Sequence, residues 1–68
     1  MRDTDERVLG AIRSAWSEQG FAPTIREIGE RIGVTGSATI QASVMRLIRA
    51  GAVTRAAGVA RTIRLVAQ

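Results

Sequence analysis

The spacing of apolar residues predicts a first helix over residues 4–19. The apolar positions recur at intervals that place them on one face of a helix, and they are Val8, Leu9, Ile12, Ala15 and Trp16. Asp3 and Glu6 have the spacing of a capping box, and Gly20 is placed to end the helix in the left-handed conformation. Because Trp16 lies on the apolar stripe, we expect it to pack in the core and not to bind a ligand.

A second, shorter helix is predicted after Pro23, a residue that bars the continuation of any helix. Thr24 and Glu27 repeat the capping-box spacing at its start, and Gly33 follows its last apolar position. The apolar residues at helical spacing within it are Ile25, Ile28 and Ile32. The sequence GVTG then makes a tight link to the next segment, so the order is helix, turn, helix.

The third helix is expected to begin after Ser37 as its N-cap and to be closed by Gly51 as the residue beyond its C-cap. Its inward residues, again at helical spacing, are Ile40, Val44, Leu47 and Ile48. A rotation of about 100° per residue then turns another set outward. That outward set is Ala38, Ala42, Met45 and Arg49, with Thr39, Gln41 and Arg46 on its flanks.

Beyond Gly51 the apolar period falls to two residues, which is typical of strands. Val53, Arg55 and Ala57 alternate with Thr54 and Ala56, Gly58 offers a turn, and Ile63 and Leu65 alternate with Arg64 and Val66. Two antiparallel strands would form a hairpin here. The predicted fold is therefore mainly α with a small β-hairpin: a winged helix-turn-helix, in one domain over residues 1–68.

The amino-acid composition excludes most kinds of catalytic site. The chain has no cysteine, no histidine and no lysine, so thiolate and imidazole metal ligands are missing and no serine has a usual activating base. We therefore expect no enzyme, no cofactor, no metal site and no small-molecule substrate. The longest uncharged run, residues 32–45, is shorter than the roughly 20 apolar residues that a membrane span needs. The charged N-terminus is unlike a secretory signal, so the expected location is the cytoplasm, without a membrane partner.

Charge is divided unevenly along the chain. Residues 1–34 hold five arginines and six acids, a net charge of −1, whereas residues 35–68 hold five arginines and no acid, a net charge of +5. A one-sided cationic surface favours a polyanionic partner, nucleic acid first and an anionic membrane second. A surface that merely keeps the protein soluble is the alternative interpretation.

A family resemblance rests on the order of several short motifs. These are the G-x-x-P-T-x-x-E-I pattern that begins at Gly20, the RIG that ends the second helix, the L-x-x-x-G that ends the third, and the IRL of the last strand. With these motifs, residues 20–65 resemble the N-terminal DNA-binding domain of the LexA repressor family, which governs the bacterial DNA-damage response. The family's self-cleaving Ser-Lys protease has no counterpart here, since the 68 residues contain no lysine. Self-cleavage and its RecA-triggered control are therefore not expected of them.

The resemblance implies that the third helix lies in the major groove of DNA, with the wing near the backbone or minor groove. By register, the family's base-reading positions fall on Ala38, Gln41 and Ala42. Alanine at two of the three departs from typical members, so the family's operator is not carried over. Alanine can contact a thymine methyl and glutamine can pair with adenine, although the alanines could also be simple helix formers.

The predicted site therefore has two parts. The base-reading residues are Ala38, Thr39, Gln41 and Ala42, and the contacts to the DNA backbone are Ser37, Arg46, Arg49, Arg55, Arg61 and Arg64. Ser37 and Thr39 can also donate to phosphate at the helix start, and Arg61 is the best placed to enter a minor groove. For any one arginine, an idle solvated charge is the alternative, and for Ser37 the alternative is plain N-capping.

These features predict a sequence-specific regulator that binds double-stranded DNA, repressor-like and of bacterial or phage type, associated with the nucleoid. Two alternatives stay open: a protein-interaction winged helix acting on a repressor or polymerase, and a nonspecific or architectural DNA binder. We expect a monomer in solution that forms a weak homodimer on DNA or uses a protein partner, because the apolar residues serve the core and leave no stripe for an interface.

Overall fold

Three helices are followed by a two-stranded antiparallel sheet in the computed structural model, which describes residues 2–56 and 58–66. The elements are α1 (Asp3–Gln19), α2 (Ile25–Ile32), α3 (Ser37–Arg49), β1 (Val53–Thr54) and β2 (Arg64–Leu65). Val53 pairs with Leu65 and Thr54 with Arg64. The predicted winged helix-turn-helix is confirmed. Ala57, predicted to lie in the first strand, is outside the described residues.

The start of α1 differs from the prediction. Arg2 is the N-cap and makes no side-chain capping bond, so the capping box expected from Asp3 and Glu6 is absent. Because the helix begins one residue earlier than predicted, Asp3 lies inside the first turn and pairs with Arg7, with 3.2 Å between Oδ2 and Nε. The acids of this turn still complement the helix dipole. At the other end, Gly20 ends α1 in the left-handed conformation, with φ 77°, as predicted.

The capping box of α2 is confirmed in both directions. The Glu27 amide donates to Thr24 Oγ1 at 3.1 Å, and the Thr24 amide donates to Glu27 Oε1 at 3.0 Å. Within α2, Gly29 is buried and lies against the turn that leads to α3, since a β-carbon built there would stand 2.6 Å from the Val34 carbonyl oxygen. Because of this close approach, the turn that leads to α3 packs directly against α2.

The start of α3 also differs from the prediction. The helix begins at Ser37, and Gly36, in an extended conformation, is the N-cap. The Thr39 amide donates to the Gly36 carbonyl at 3.2 Å, so the backbone closes this turn without a capping side chain. Ser37 is therefore the first helical residue and not the cap. Gly51, with φ 77°, follows the C-cap as predicted, and the Ala52 amide donates back across the helix end to the Leu47 carbonyl.

The core lies where the three helices and the sheet meet. Its buried members are Val8, Ala11, Ile12, Ile28, Ile40, Val44, Leu47, Val53 and Ile63. The apolar stripes predicted for α1 and α3 supply most of them, while Leu9, Trp16 and Ile48 are only partly buried against the cluster. In the described part of the chain, no helix is both long and apolar enough to cross a bilayer.

The wing is more irregular than predicted, because each strand has only two residues. Beyond the two strands, the Thr62 side chain connects the two sides of the hairpin in place of backbone pairing. The Ala56 amide donates to Thr62 Oγ1 at 2.9 Å, and the hydroxyl lies 3.0 Å from the Val59 carbonyl oxygen. Gly58 adopts φ 73° in the turn, as expected. A side chain therefore replaces the ladder that alternation predicted for this stretch.

Candidate nucleic-acid interface

The outward face of α3 is exposed as the helical rotation predicted. The exposed residues are Ser37, Ala38, Thr39, Gln41, Ala42, Met45 and Arg49. The predicted base-reading group therefore lies together on one accessible surface, at the N-terminal half of the helix. Its side chains are short, except for Gln41, and α3 carries no acid. Such a surface can approach a base-pair edge closely without repelling phosphate.

The first turn of α3 presents a free hydroxyl. Since Gly36 is the N-cap, the Ser37 side chain is not used for capping and makes no hydrogen bond within residues 2–56 and 58–66. It lies beside the amide groups of a helix N-terminus, where anions are favoured. The Ser37 hydroxyl is therefore accessible for the predicted phosphate contact.

Arg46, a predicted backbone contact, is bound to an acid of α1. Its Nε lies 3.0 Å from Asp5 Oδ2, and its Nη2 lies 2.8 Å from Asp5 Oδ1. Asp5 is 4% exposed and also accepts from the buried Ser43 hydroxyl at 2.6 Å. The hydrogen bonds from Arg46, then that from Ser43, lower the pKa of Asp5 from 3.8 to about 2, and Asp5 in turn raises the pKa of Arg46.

This Asp5 network fastens α3 to the start of α1. The sequence did not indicate it, because Asp5 is one acid in a charged N-terminal cluster. A signal for Ser43 did exist: it falls three residues after Ile40 and four before Leu47, at a position on the buried stripe. A serine at such a position needs a hydrogen-bond partner, which Asp5 provides.

Arg61, the predicted minor-groove arginine, is bound to the start of α2. Its Nη1 and Nη2 lie 3.0 and 2.9 Å from the two carboxylate oxygens of Glu27, and Nη1 also donates to the Ala22 carbonyl at 3.2 Å. The guanidinium carbon stands 5.2 Å from the centre of the Phe21 ring. Arg61, and then the Thr24 amide, lower the pKa of Glu27, and Glu27 raises the pKa of Arg61.

The other three predicted backbone arginines have no acidic partner in the described part of the chain. Arg49 is exposed on α3, Arg55 is half-buried after β1, and Arg64 is exposed on β2. The Arg64 guanidinium carbon lies 5.7 Å from the centre of the Trp16 ring. The indole Nε1 donates to the Ile63 carbonyl at 2.9 Å, so Trp16 packs against the core and also supports the wing.

Only some of the acids in residues 1–34 pair with an arginine of the same helix. Two ion pairs do have the i, i+4 spacing, Asp3 with Arg7 and Arg26 with Glu30. The pairs formed by Asp5 and Glu27, however, reach arginines of the second half. Two of the five arginines after residue 34 therefore bind acids of the first half. Fewer arginines are available to contact phosphate than the sequence indicated.

The described residues contain no cluster of three or more acidic, histidine or cysteine side chains that could hold a metal ion. What they contain is a helix-turn-helix with an exposed third helix and a basic wing. This combination defines a winged helix-turn-helix protein.

Comparison with known proteins gives the family. The family model described as "LexA DNA binding domain" matches residues 2–62, so the chain belongs to this family. The LexA repressor of Leuconostoc mesenteroides is 47% identical over 45 residues, which are 66% of this chain and 21% of that protein. The LexA repressor of Lacticaseibacillus casei is 32% identical over 60 residues, covering 88% and 29% of the two chains. That of Bifidobacterium longum is 36% identical over 67 residues, covering 98% and 28%. The chain thus spans less than a third of the length of these relatives.

Proposed function

We propose that this protein is a sequence-specific, double-stranded DNA-binding regulator that acts as a repressor. In this proposal α3 lies in the major groove, with Ala38, Thr39, Gln41 and Ala42 towards the base edges. The wing lies along the backbone or the adjacent minor groove. One domain over residues 1–68 carries the activity, without a cofactor, in the cytoplasm and on the nucleoid.

The observation that carries the proposal is the accessible, acid-free face of α3 in a member of the LexA DNA-binding domain family. Ser37 contributes a free hydroxyl at the helix start, and Arg49, Arg55 and Arg64 contribute positive charge that no described acid neutralises. We assign the main phosphate contacts to these four residues. Contacts from Arg46 and Arg61 stay predictions, since both arginines already donate to carboxylates in the free protein.

Gln41 is the longest side chain of the base-reading group and the best suited to a bidentate bond with adenine. We expect Gln41→Ala to cost about 1–3 kcal/mol on the preferred site and to relax the preference at one base pair. Affinity for random duplex should stay nearly unchanged. Selection from a random duplex pool supplies the preferred site, and fluorescence anisotropy measures both affinities.

Ser17→Ala, on an exposed position of α1, is the matched control and should alter neither affinity. If Gln41→Ala weakens binding to preferred and random duplexes by the same factor, Gln41 does not read a base.

Assembly on DNA gives a further expectation. A single winged helix buries about 600–1,000 Å² on DNA, which is little for tight specific binding. The apolar residues of α1 and α3 that face inward are used by the core. We expect the 68-residue protein to sediment as a monomer at micromolar concentration and to bind a duplex with two half-sites much more tightly than a duplex with one. A stable dimer without DNA, or equal affinity for the two duplexes, would contradict this.

One observation favours the second candidate function, a protein-interaction module. Val59 at the wing is 57% exposed and Phe21 is 48% exposed, and exposed apolar side chains of this size can form a contact with another protein. If the module binds a repressor or polymerase in place of DNA, Val59→Ser will abolish that complex while duplex DNA of any sequence fails to bind the unaltered protein.

A further inference from the structure

Arg61 has a backbone conformation that its residue type disfavours. Its φ is 58°, and it is the sole non-glycine residue with positive φ in residues 2–56 and 58–66. The left-handed region crowds a β-carbon, so a residue such as arginine stays there only when surrounding contacts hold it. This conformation indicates that contacts of the Arg61 side chain hold this part of the wing.

Those contacts all lie on one neighbouring segment, made of the residues that lead into α2 and the first turn of α2 itself. They comprise the two carboxylate oxygens of Glu27, the carbonyl of Ala22 and the face of the Phe21 ring. A planar guanidinium bound through two nitrogens to one carboxylate fixes direction as well as distance. The side chain thus connects the wing turn to the start of the helix-turn-helix.

Glu27 serves both partners through one carboxylate. Its Oε1 accepts from the Thr24 amide, which caps α2, and also from Arg61 Nη1. A cleft of about 190 Å³ lies between the wing turn and the start of α2, with Pro23, Ile25 and Val59 in its walls. Arg61 also lines this cleft, and its bonds to Glu27 connect the wing turn to α2.

We propose that Arg61 is a positioning residue: it latches the wing to α2 and so sets where the wing stands relative to α3. The inference deepens the proposed function, because it assigns Arg61 to holding the wing and leaves phosphate contact to Arg55 and Arg64. The latch itself exists in the free protein and is measurable without DNA.

The first test uses amide hydrogen exchange in the free protein, with Arg61→Gln and Glu27→Gln. The amide side chain introduced by Glu27→Gln keeps an oxygen that can accept from Thr24, so the cap of α2 is retained. We expect the wing amides of Ala56 and Val59 to exchange about fivefold faster in both variants. The Ala52 amide, which is bonded to the end of α3, should be unchanged.

Trp16 provides an independent signal. It is the sole tryptophan of the chain, and its indole donates to the wing at Ile63. Its emission should shift to the red in both variants as the wing loosens. Glu30→Gln is the matched control, since it removes a carboxylate from the same helix where the partner is the exposed Arg26. If amide exchange in the wing and Trp16 emission are the same in Arg61→Gln as in Glu30→Gln, the proposed latch is wrong.

A double-mutant cycle on DNA then separates positioning from contact. If Arg61 acts through Glu27, each single variant lowers affinity for the preferred duplex by a similar factor, the double variant is no worse, and the salt slope is unchanged. If Arg61 touches phosphate, Arg61→Gln lowers the salt slope by about 1 and Glu27→Gln, which removes a negative charge, raises affinity. That second pattern would overturn the proposal. If neither the variants nor the unaltered protein bind DNA, the proposed function is wrong. The exchange experiment in the free protein still tests the latch in that case.

Discussion

Asp5→Ala is expected to lower the free energy of unfolding by about 2–3 kcal/mol, because it leaves the buried Ser43 hydroxyl and the Arg46 guanidinium without their acceptor. A domain of this size has only a few kcal/mol of stability from its core, so the variant should be close to unfolding at room temperature. The loss comes from the connection between α1 and α3, which is the framework of the proposed reading surface. Urea denaturation at neutral pH, followed by Trp16 fluorescence, measures it.

Asp3→Ala is the matched control. Asp3 lies in the same turn of α1, but both members of its pair with Arg7 are well exposed. Its replacement should cost less than about 1 kcal/mol. Equal destabilisation by Asp3→Ala and Asp5→Ala would show that the network with Ser43 and Arg46 does not stabilise the fold.

Acid gives a second readout of the same network. The pKa of Asp5 is about 2 in the folded protein against an ordinary 3.8, so the folded state favours the ionised carboxylate. The resulting stabilisation, about 2 kcal/mol, is complete above the unfolded pKa and is lost as pH falls from about 4 towards 2. Asp5→Asn should remove this part of the pH dependence. A variant whose unfolding midpoint falls as steeply with acid as that of the unaltered protein would contradict the assignment.

The second large effect is expected on DNA affinity. Replacing Arg49 and Arg55 together by alanine removes two cations that have no acidic partner in the described residues. If each contacts one phosphate, the slope of log K against log salt falls by about 2, and affinity at about 0.1 M salt falls roughly 50-fold. Preferred and random duplexes should lose affinity by similar factors, since phosphate contacts carry no sequence information. Anisotropy titrations at several salt concentrations give both quantities.

Arg2→Ala combined with Arg13→Ala removes the same charge from α1 and its N-cap, outside α3 and the wing. Both arginines are exposed and are without an ion-pair partner in the described part of the chain. This control should lower affinity only slightly and leave the salt slope unchanged. If the two double variants behave alike, the effect is one of net charge, and Arg49 and Arg55 are not specific phosphate contacts.

Local sequence signals predicted the elements of this fold well, because local chemistry decides them. Thr24 and Glu27 cap α2 through bonds three residues apart, and Gly20 and Gly33 end helices by adopting a conformation that glycine tolerates. The N-cap of α3 lies one residue earlier than predicted, for a related reason. Gly36 adopts the extended N-cap conformation at little cost, so Ser37 was not needed there.

The roles of individual arginines could not be predicted in the same way. Arg46 meets Asp5 across 41 positions of the chain, and Arg61 meets Glu27 across 34. Such pairs depend on how the helices and the wing pack together, which periodicity does not encode. The exposed face of α3 was predictable because helical rotation follows from its buried stripe. The DNA contacts of that face stay predictions.

The most direct test of DNA binding compares two duplexes at two salt concentrations. A duplex selected from a random pool and a scrambled duplex of equal length are titrated at about 50 and about 200 mM salt. The proposed function predicts that the selected duplex binds roughly a thousandfold more tightly, the low end for specific DNA-binding proteins, and that both affinities fall steeply with salt. Equal affinity for the two duplexes would mean nonspecific binding, and no binding to either at the lower salt would contradict the proposal altogether.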